Sequence, residues 1–237
     1  SEHQKESLLK SIDNAHRLLS SPKARKAFDL SLESKESYDT YKVGGRFGLG
    51  CLLAKRLTEA GARFIEVTHG YYPFKYWDTH DNGHTKMKDL KKMIDAPIAQ
   101  LVLDLEKSKL LDRTLIVVAS EFSRDMMMEG KPEKRVKDQV QVPPRIDGPQ
   151  HYGMHRHFTG AGSVLLFGGG IKKGFVYGET ADERPCTTIK NPINTQQLHA
   201  TMYRALGIPH DHHYNVEQRP FYVTPDGVTE PVMDLFG

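Results

Sequence analysis

The pattern of hydrophobic and polar positions divides the chain into segments with helical spacing and segments with near-continuous apolar character. Apolar residues three and four positions apart predict α-helices at residues 4–19, 46–61, 85–112 and 194–206. Runs rich in β-branched and aromatic residues predict strands at residues 62–70, 114–120 and 163–167. Because strands and helices alternate, the pattern predicts an α/β domain with a mostly parallel sheet and helices on both faces.

Residues at the ends of these segments add detail to the prediction. The run TLIVVAS at 114–120 is apolar almost throughout, which is typical of a central parallel strand covered on both faces. Gly61 is expected to end the second helix, because glycine adopts the left-handed backbone that follows many helices. Asn194 or Thr195 is expected to cap the start of the last helix with its side-chain oxygen.

Prolines predict two changes of chain direction. Pro97 lies inside the third helical pattern, where it predicts a kink or a break near Ala96. The tail sequence FYVTPDGVTEPV predicts a hairpin that turns at Pro225-Asp226-Gly227.

The same pattern suggests a domain organisation. Residues 1–43 form short charged helical segments and are interpreted as a helical amino-terminal arm. Residues 44–237 are interpreted as the α/β domain. Within it, the polar stretch 125–150, which contains methionines and prolines, is predicted to be a loop insertion.

Composition excludes some classes of function. The 33 Lys+Arg against 30 Asp+Glu leave a formal charge of +3, which is too small and too scattered to indicate a nucleic-acid partner. No apolar run approaches the roughly 18 residues that a membrane-spanning helix needs. The two cysteines, Cys51 and Cys186, belong to no CxxC pair, so we expect free thiols and no metal binding through sulfur.

Side chains with metal-ligand chemistry lie close to each predicted strand. Asp78 and His80 follow the first strand, Glu121 and Arg124 follow the central one, and His157 lies just before the third. Carboxylate oxygens and imidazole nitrogens are common ligands of zinc, manganese and iron. In open α/β sheets ligands gather at the carboxyl ends of strands, so the three clusters together indicate one site.

Each cluster also has a purely structural interpretation. Asp78 could cap the following helix or form an Asx turn, and Glu121 could pair with a nearby arginine. His155 and His157 alternate as in a strand, so one could face the core and the other solvent. Five further histidines are interpreted as surface, packing or tail residues: His69, His199, His210, His212 and His213. The glycine-rich stretch FGGGIKKG fits a tight turn better than a nucleotide-binding loop.

The order of several motifs resembles a known family. These motifs are GRFGLGCLLAKRLTEAGARFIEVTHG, WDTH, LLDRTLIVVASEFSR, HFTGAGSVLLFGGGIKKGFVYG and NTQQLHATMYRALGI. Together they resemble the domain-of-unknown-function-1501 family over residues 44–210. Proteins of that family look like members of the alkaline phosphatase and sulfatase superfamily. The resemblance implies a sulfatase-like fold, and relatives with an export signal suggest an exported or periplasmic location.

The resemblance also implies a set of site residues. By their place in the motifs, Asp78, His80, Glu121 and His157 would hold a divalent metal, zinc in the first instance or else manganese or calcium. Arg124 stands in the motif that relatives write as EFGRTP, and it would be a catalytic residue facing the anionic group of a small ester substrate. The implied function is metal-dependent hydrolysis of phosphate or sulfate esters.

The chain departs from the family pattern in ways that favour a second hypothesis. The motif reads EFSRD, with Ser123 and Asp125 in place of Gly and Thr, and Arg156 precedes the late histidine where relatives usually have Asp. Phe122 occupies the place of a second ligand, and residues 1–60 contain no strand that leads to a metal-binding Asp and a nucleophile. The amino-terminal strand of the full fold is therefore not expected here. The alternative function is a non-catalytic binding or scaffold protein.

Overall fold

The structure is a computed structural model that describes residues 2–70, 72, 75–80, 82–126, 155–183 and 186–237. The helices of this part of the chain are α1 Glu2–Ser20, α2 Pro22–Phe28, α3 Lys35–Lys42, α4 Gly45–Glu59, α5 Gly83–Lys107 and α6 Thr195–Ala205. The strands are β1 Ile116–Val118, β2 Ser123–Met126, β3 His155–Phe158, β4 Leu165–Phe167, β5 Glu179–Thr180, β6 Thr188–Lys190, β7 His213–Val216 and β8 Arg219–Tyr222. Short 3-10 helices lie at Leu30–Leu32, Leu111–Arg113, Pro225–Gly227 and Met233–Leu235.

Contacts divide the chain into two compact units. Unit 1 comprises Ser1–Asp78 and His84–Ser108, and unit 2 comprises Thr79–Gly83 and Lys109–Gly237. Most of the described helices therefore belong to unit 1, whereas all of the described strands belong to unit 2.

The core of unit 1 forms where α4 packs against α2 and α3. The side chains of Tyr41, Leu52 and Leu105 are almost completely buried there, and Cys51 is 2% exposed. The Tyr41 hydroxyl donates a hydrogen bond to Asp104 over 2.9 Å, so the buried phenol keeps a polar partner. The apolar spacing of α4 thus predicts both the helix and its buried face.

Pro97 does not interrupt its helix. A kink or a break was expected near Ala96; the helix α5 is continuous from Gly83 to Lys107, so a break does not occur. The Pro97 ring is fully buried and packs close to Gly44 and Gly48, which have no side chains to obstruct it. This burial offsets part of the free energy that a proline costs inside a helix.

The strands do not form the mostly parallel sheet that the pattern predicts, and the sulfatase-like α/β fold class is therefore wrong. The described strands form four separate two-stranded antiparallel sheets: β1–β4, β2–β3, β5–β6 and β7–β8. Parallel neighbours need a crossover connection, usually a helix. β4 pairs antiparallel with β1, and the paired strands β2 and β3 lie between them along the chain.

The predicted strand at residues 62–70 is also wrong. This segment has no regular secondary structure, and Phe64 is 75% exposed. A buried strand needs a neighbour for its backbone groups, and no described strand pairs with this segment. The β-branched composition was therefore a misleading signal, because it cannot report whether a partner strand exists.

The residues that were predicted to cap the start of α6 and to end α4 do so in the structure. Asn194 caps α6 in a capping box with Gln197, each side chain bonding the backbone N–H of the other residue. Gly61, with φ of 91°, follows α4, and the N–H groups of Gly61 and Ala62 donate to Thr58 and Leu57. This bonding pattern is a Schellman motif, so the predicted end of the helix is confirmed.

The predicted hairpin at the tail is displaced. Pro225–Gly227 form a 3-10 helix, whereas the hairpin consists of β7 and β8 and turns at Glu217-Gln218. Both turn residues have positive φ, 49° and 64°, as the common two-residue hairpin turn requires. Neither residue is a glycine or an asparagine, so the sequence carries no turn signal there.

Three smaller predictions have different outcomes. Cys51 and Cys186 are both free, as expected. Of the predicted insertion 125–150, residues 125 and 126 belong to β2 and the others lie outside the described residues. Across the part of the chain that the structure describes, no helix is long and apolar enough to cross a membrane.

Candidate metal centre

The pairing of β2 with β3 brings two predicted site residues together. Arg124 and His157 are directly opposite each other in this antiparallel pair. Opposed residues project from the same face of a sheet, with Cβ atoms about 4.5–5.5 Å apart. The side chain of the neighbouring Ser123 makes its hydrogen bond with a different residue. Its hydroxyl donates to the carbonyl of Ala161 over 2.6 Å.

A possible metal site is formed by Asp78, His80 and His157. Their ligand atoms all lie within 4.8 Å of one another. His80 and His157 both belong to unit 2, and Asp78 is two positions from His80 along the chain. Asp78 and His80 are half-buried and His157 is exposed, so the cluster is accessible from solvent.

The donor set is chemically suited to a divalent cation. One carboxylate and two imidazoles are ligands that zinc, manganese and iron accept. In a tetrahedral zinc site neighbouring donors lie about 3.3 Å apart, as follows from bond lengths of about 2.0–2.2 Å. Separations that do not exceed 4.8 Å can reach this value through small side-chain movements.

Aromatic contacts determine the surroundings of His157. Its ring centroid lies 5.3 Å from that of His80 and 4.2 Å from that of Phe122. Phe122 is thus the nearer of the two rings, and it presents carbon where another residue type could present a ligand atom. The sequence marked Phe122 only as a departure from a motif, without indicating this contact.

Arg124 and Glu121 lie next to the cluster rather than within it. Arg124 Nη2 is 3.4 Å from Glu121 Oε1, and the guanidinium lies 5.5 Å from the centre of the Phe122 ring. The Arg124 side chain is 18% exposed, whereas that of Glu121 is 58% exposed. Glu121 is not among the residues that meet in the cluster, and its pairing with Arg124 matches the structural interpretation of its sequence position.

The loop before Asp78 is held by a contact that the sequence does not predict. The Trp77 indole Nε1 donates a hydrogen bond to His69 Nδ1 over 2.7 Å. The His69 ring also packs edge-on against Phe47, with centroids 5.3 Å apart. His69 therefore has the packing role expected of it, but its partner is the residue adjacent to a candidate ligand.

Other candidates contribute less. For His155 only the backbone, in β3, is described. Gly168 and Gly169 have positive φ and lie tightly against the backbone at Leu111 and Leu115. This close approach agrees with the interpretation of the glycine run as a tight turn.

Comparison with known proteins identifies the family. The sequence pattern of the family described as "Protein of unknown function (DUF1501)" matches residues 1–235. The chain therefore belongs to the DUF1501 family. Searches of the curated proteins and of the solved structures find no match.

Proposed function

We propose that the chain binds one divalent metal ion through Asp78, His80 and His157 and takes part in the hydrolysis of a phosphate or sulfate ester. The observation that carries the proposal is the convergence of one carboxylate and two imidazoles within 4.8 Å. His157 is separated from His80 by 77 positions, so the proximity is not a product of local sequence. The three ligands that the described residues offer would leave one position of a tetrahedral site open, as in catalytic zinc sites.

The donor set favours zinc or manganese over calcium. Calcium takes six to eight oxygen ligands, whereas two of these three donors are nitrogens. Zinc accepts both imidazole and carboxylate and is satisfied by three protein ligands and one further group. We therefore assign zinc first, manganese second and calcium last.

In this proposal Arg124 binds the anionic group of the substrate. Its position opposite His157 places a permanent positive charge on the face that carries the metal ligand. When bound, a divalent ion supplies Lewis acidity toward an ester oxygen. The guanidinium neutralises charge that develops on the transferred group. The ion pair with Glu121 orients the guanidinium. The WDTH and EFSR motifs resemble those of the DUF1501 family, whose proteins look like alkaline phosphatases and sulfatases, and this resemblance supports the ester class.

A second candidate is a non-catalytic binding or scaffold protein that retains the metal ion. Two contacts favour it: the Phe122 ring lies against His157, and Arg124 beside the cluster is paired with Glu121. A site of this kind would bind metal as well as the hydrolase would. Only a test of turnover distinguishes the two candidates.

The first experiment measures the metal content of the purified chain by inductively coupled plasma mass spectrometry. The wild type is expected to retain close to one zinc or manganese ion per chain after dialysis. A double variant, Asp78→Ala with His157→Ala, is expected to lose it, because each substitution removes a donor. The control is His199→Ala, which removes an exposed imidazole from α6. Wild-type protein that binds neither ion would exclude the metal site.

The second experiment tests turnover by the metal-loaded wild type. We expect release of p-nitrophenol from p-nitrophenyl phosphate or p-nitrophenyl sulfate, and a loss of rate in Arg124→Ala with metal content unchanged. Since removal of one transition-state donor typically costs about 100-fold or more in rate, the effect is easily measured. Metal binding without turnover of either ester would support the second candidate.

A further inference from the structure

We propose that His69 is a positioning residue for the metal site, acting through its hydrogen bond to Trp77. The inference rests on the proposed function, because it concerns the same site. Trp77 directly precedes Asp78, and its indole donates to His69 Nδ1 over 2.7 Å. Since adjacent residues share a planar peptide unit, a shift of Trp77 moves the backbone that carries the Asp78 carboxylate.

His69 can hold Trp77 because it is itself attached to the core of unit 1. Its ring packs edge-on against Phe47 of α4, with an angle of 73° between the ring planes. One turn further along α4, Val67 lies against Gly50, where even a methyl group would be only 2.8 Å from Val67 Cγ1. The segment that contains Val67 and His69 therefore follows the surface of a helix whose next residue, Cys51, is buried.

A tight turn joins His69 to the loop. Gly70 has φ of 74°, and a side chain on it would lie 2.8 Å from Tyr76 Cβ and 3.0 Å from Trp77 Cδ1. Tyr76 also has a positive φ, 54°, which is unusual for a bulky residue. Such a backbone persists only where surrounding contacts hold it, and the contacts of His69 and Gly70 with this turn provide that restraint.

Backbone hydrogen bonds continue the turn up to the ligand. The N–H of Tyr72 donates to Gly70, that of Lys75 to Tyr72, and that of Asp78 to Lys75, over 3.0, 3.2 and 3.1 Å. The Asp78 backbone is thus tied at one end of a series whose other end lies beside His69.

The protonation state of His69 suits this role. An imidazole nitrogen accepts a hydrogen bond only when it carries no proton. Burial lowers the pKa of His69, which keeps the ring neutral near pH 7. The acceptor is then available to the Trp77 indole, whose N–H can only donate.

The test compares two substitutions by calorimetric titration with zinc chloride. His69→Phe keeps a ring against Phe47 but removes the acceptor, whereas His69→Gln retains an acceptor oxygen. Loss of a group that orients a metal ligand typically weakens affinity by about 10- to 100-fold. We expect a loss of this size in His69→Phe and recovery to within about three-fold of wild type in His69→Gln. His199→Phe, an exposed histidine of α6, is the control and should bind as wild type does.

A spectroscopic measurement accompanies the titration. Trp77 is the only tryptophan of the chain, so its fluorescence reports this loop alone. Zinc is expected to change the emission of the wild type and of His69→Gln, and to change that of His69→Phe only at higher concentration. If circular dichroism shows that His69→Phe does not fold, Trp77→Phe removes the same hydrogen bond from the donor side and should weaken zinc equally.

The outcomes separate the two proposals. Failure of the wild type to bind zinc overturns the proposed function. If the wild type binds zinc and His69→Phe binds it within two-fold, or if His69→Gln is as weak as His69→Phe, the metal site stands and the positioning role of His69 is overturned.

Discussion

The ring of Phe122 lies against the ring of His157, with centroids 4.2 Å apart and planes inclined by 33°. Phe122 immediately precedes β2 and is two positions from Arg124, so it lies on the face that carries the candidate site. The residue at position 122 is therefore close enough to His157 for its chemistry to affect the candidate site.

Replacing Phe122 by histidine is expected to strengthen zinc binding by about ten-fold, because a fourth donor would fill the open coordination position. Filling that position should also reduce hydrolysis, since structural zinc sites leave none open. Calorimetric titration measures the first effect and p-nitrophenyl ester turnover the second. Phe122→Leu, which adds no donor, is the control. Equal zinc affinity in wild type and Phe122→His would show that residue 122 does not reach the ion.

Replacing Glu121 by glutamine is expected to tighten sulfate binding by up to about five-fold. The substitution removes the negative charge that competes for Arg124, and one exposed ion pair contributes at most about 1 kcal/mol. The effect should shrink as ionic strength rises, since the pair is accessible to salt. Asp112→Asn makes the same charge change at an exposed residue of a 3-10 helix and serves as the control. An equal increase of sulfate affinity in both variants would show that the change in net charge is the cause, and not the loss of the ion pair with Arg124.

Replacing Gly48 by alanine is expected to lower the free energy of unfolding by about 2 kcal/mol or more. A methyl group at this position would overlap the Tyr41 carbonyl and lie 3.3 Å from the Pro97 ring, so α3, α4 and α5 would have to move. Gly162→Ala is the matched control, because its methyl group would meet nothing within 4 Å. Thermal denaturation measures both variants, and a melting temperature for Gly48→Ala equal to that of Gly162→Ala would contradict this packing.

The stability of unit 1 is expected to fall in acid because of Glu33. Burial alone would raise the pKa of this carboxyl, but hydrogen bonds from Ser37, Arg56 and Lys55 outweigh burial and lower it below 4.5. A lowered pKa stabilises the fold above pH 4.5, and the stabilisation is lost as pH falls through the pKa of the folded form. Glu33→Gln should therefore melt below wild type at pH 7.

The difference in melting temperature between wild type and Glu33→Gln should narrow as the pH falls below 4.5. Melting temperatures between pH 4.5 and pH 3 provide the measurement. Asp13→Asn in α1 is the control, since Asp13 is an exposed carboxyl. A difference in melting temperature that stays constant down to pH 3 would mean that the cationic partners of Glu33 do not lower the pKa of its carboxyl.

Local signals in the sequence were sufficient to predict where these helices begin and end, but not how the strands pair. Asn194 and Gly61 act within one turn of their own helix, so the chemistry of the single residue decides the outcome. Ile116 and Leu165 illustrate the opposite case, because both were correctly placed in strands but the direction of pairing depends on the chain between them. Nothing in the composition of a strand specifies whether its neighbour runs parallel or antiparallel.

The same distinction between local and long-range features applies to the candidate site. Asp78 and His80 could be paired from sequence because they are two residues apart. His157 is 77 positions beyond His80 along the chain, so its association with them depends on the tertiary fold, which no local pattern predicts. The hydrogen bond from Trp77 to His69 has no sequence signal either, since a spacing of eight residues matches neither helix nor strand.

The separation between His80 and His157 also affects how the protein folds. Their ring centroids lie 5.3 Å apart although the two residues are 77 positions apart along the chain. Closing a loop of this length costs conformational entropy before any contact compensates for it, so pairs of this kind tend to form late. An ion that bridges the two histidines would act as a reversible cross-link that slows unfolding. Under those conditions, the lifetime of the folded state would depend on the availability of metal in the surroundings.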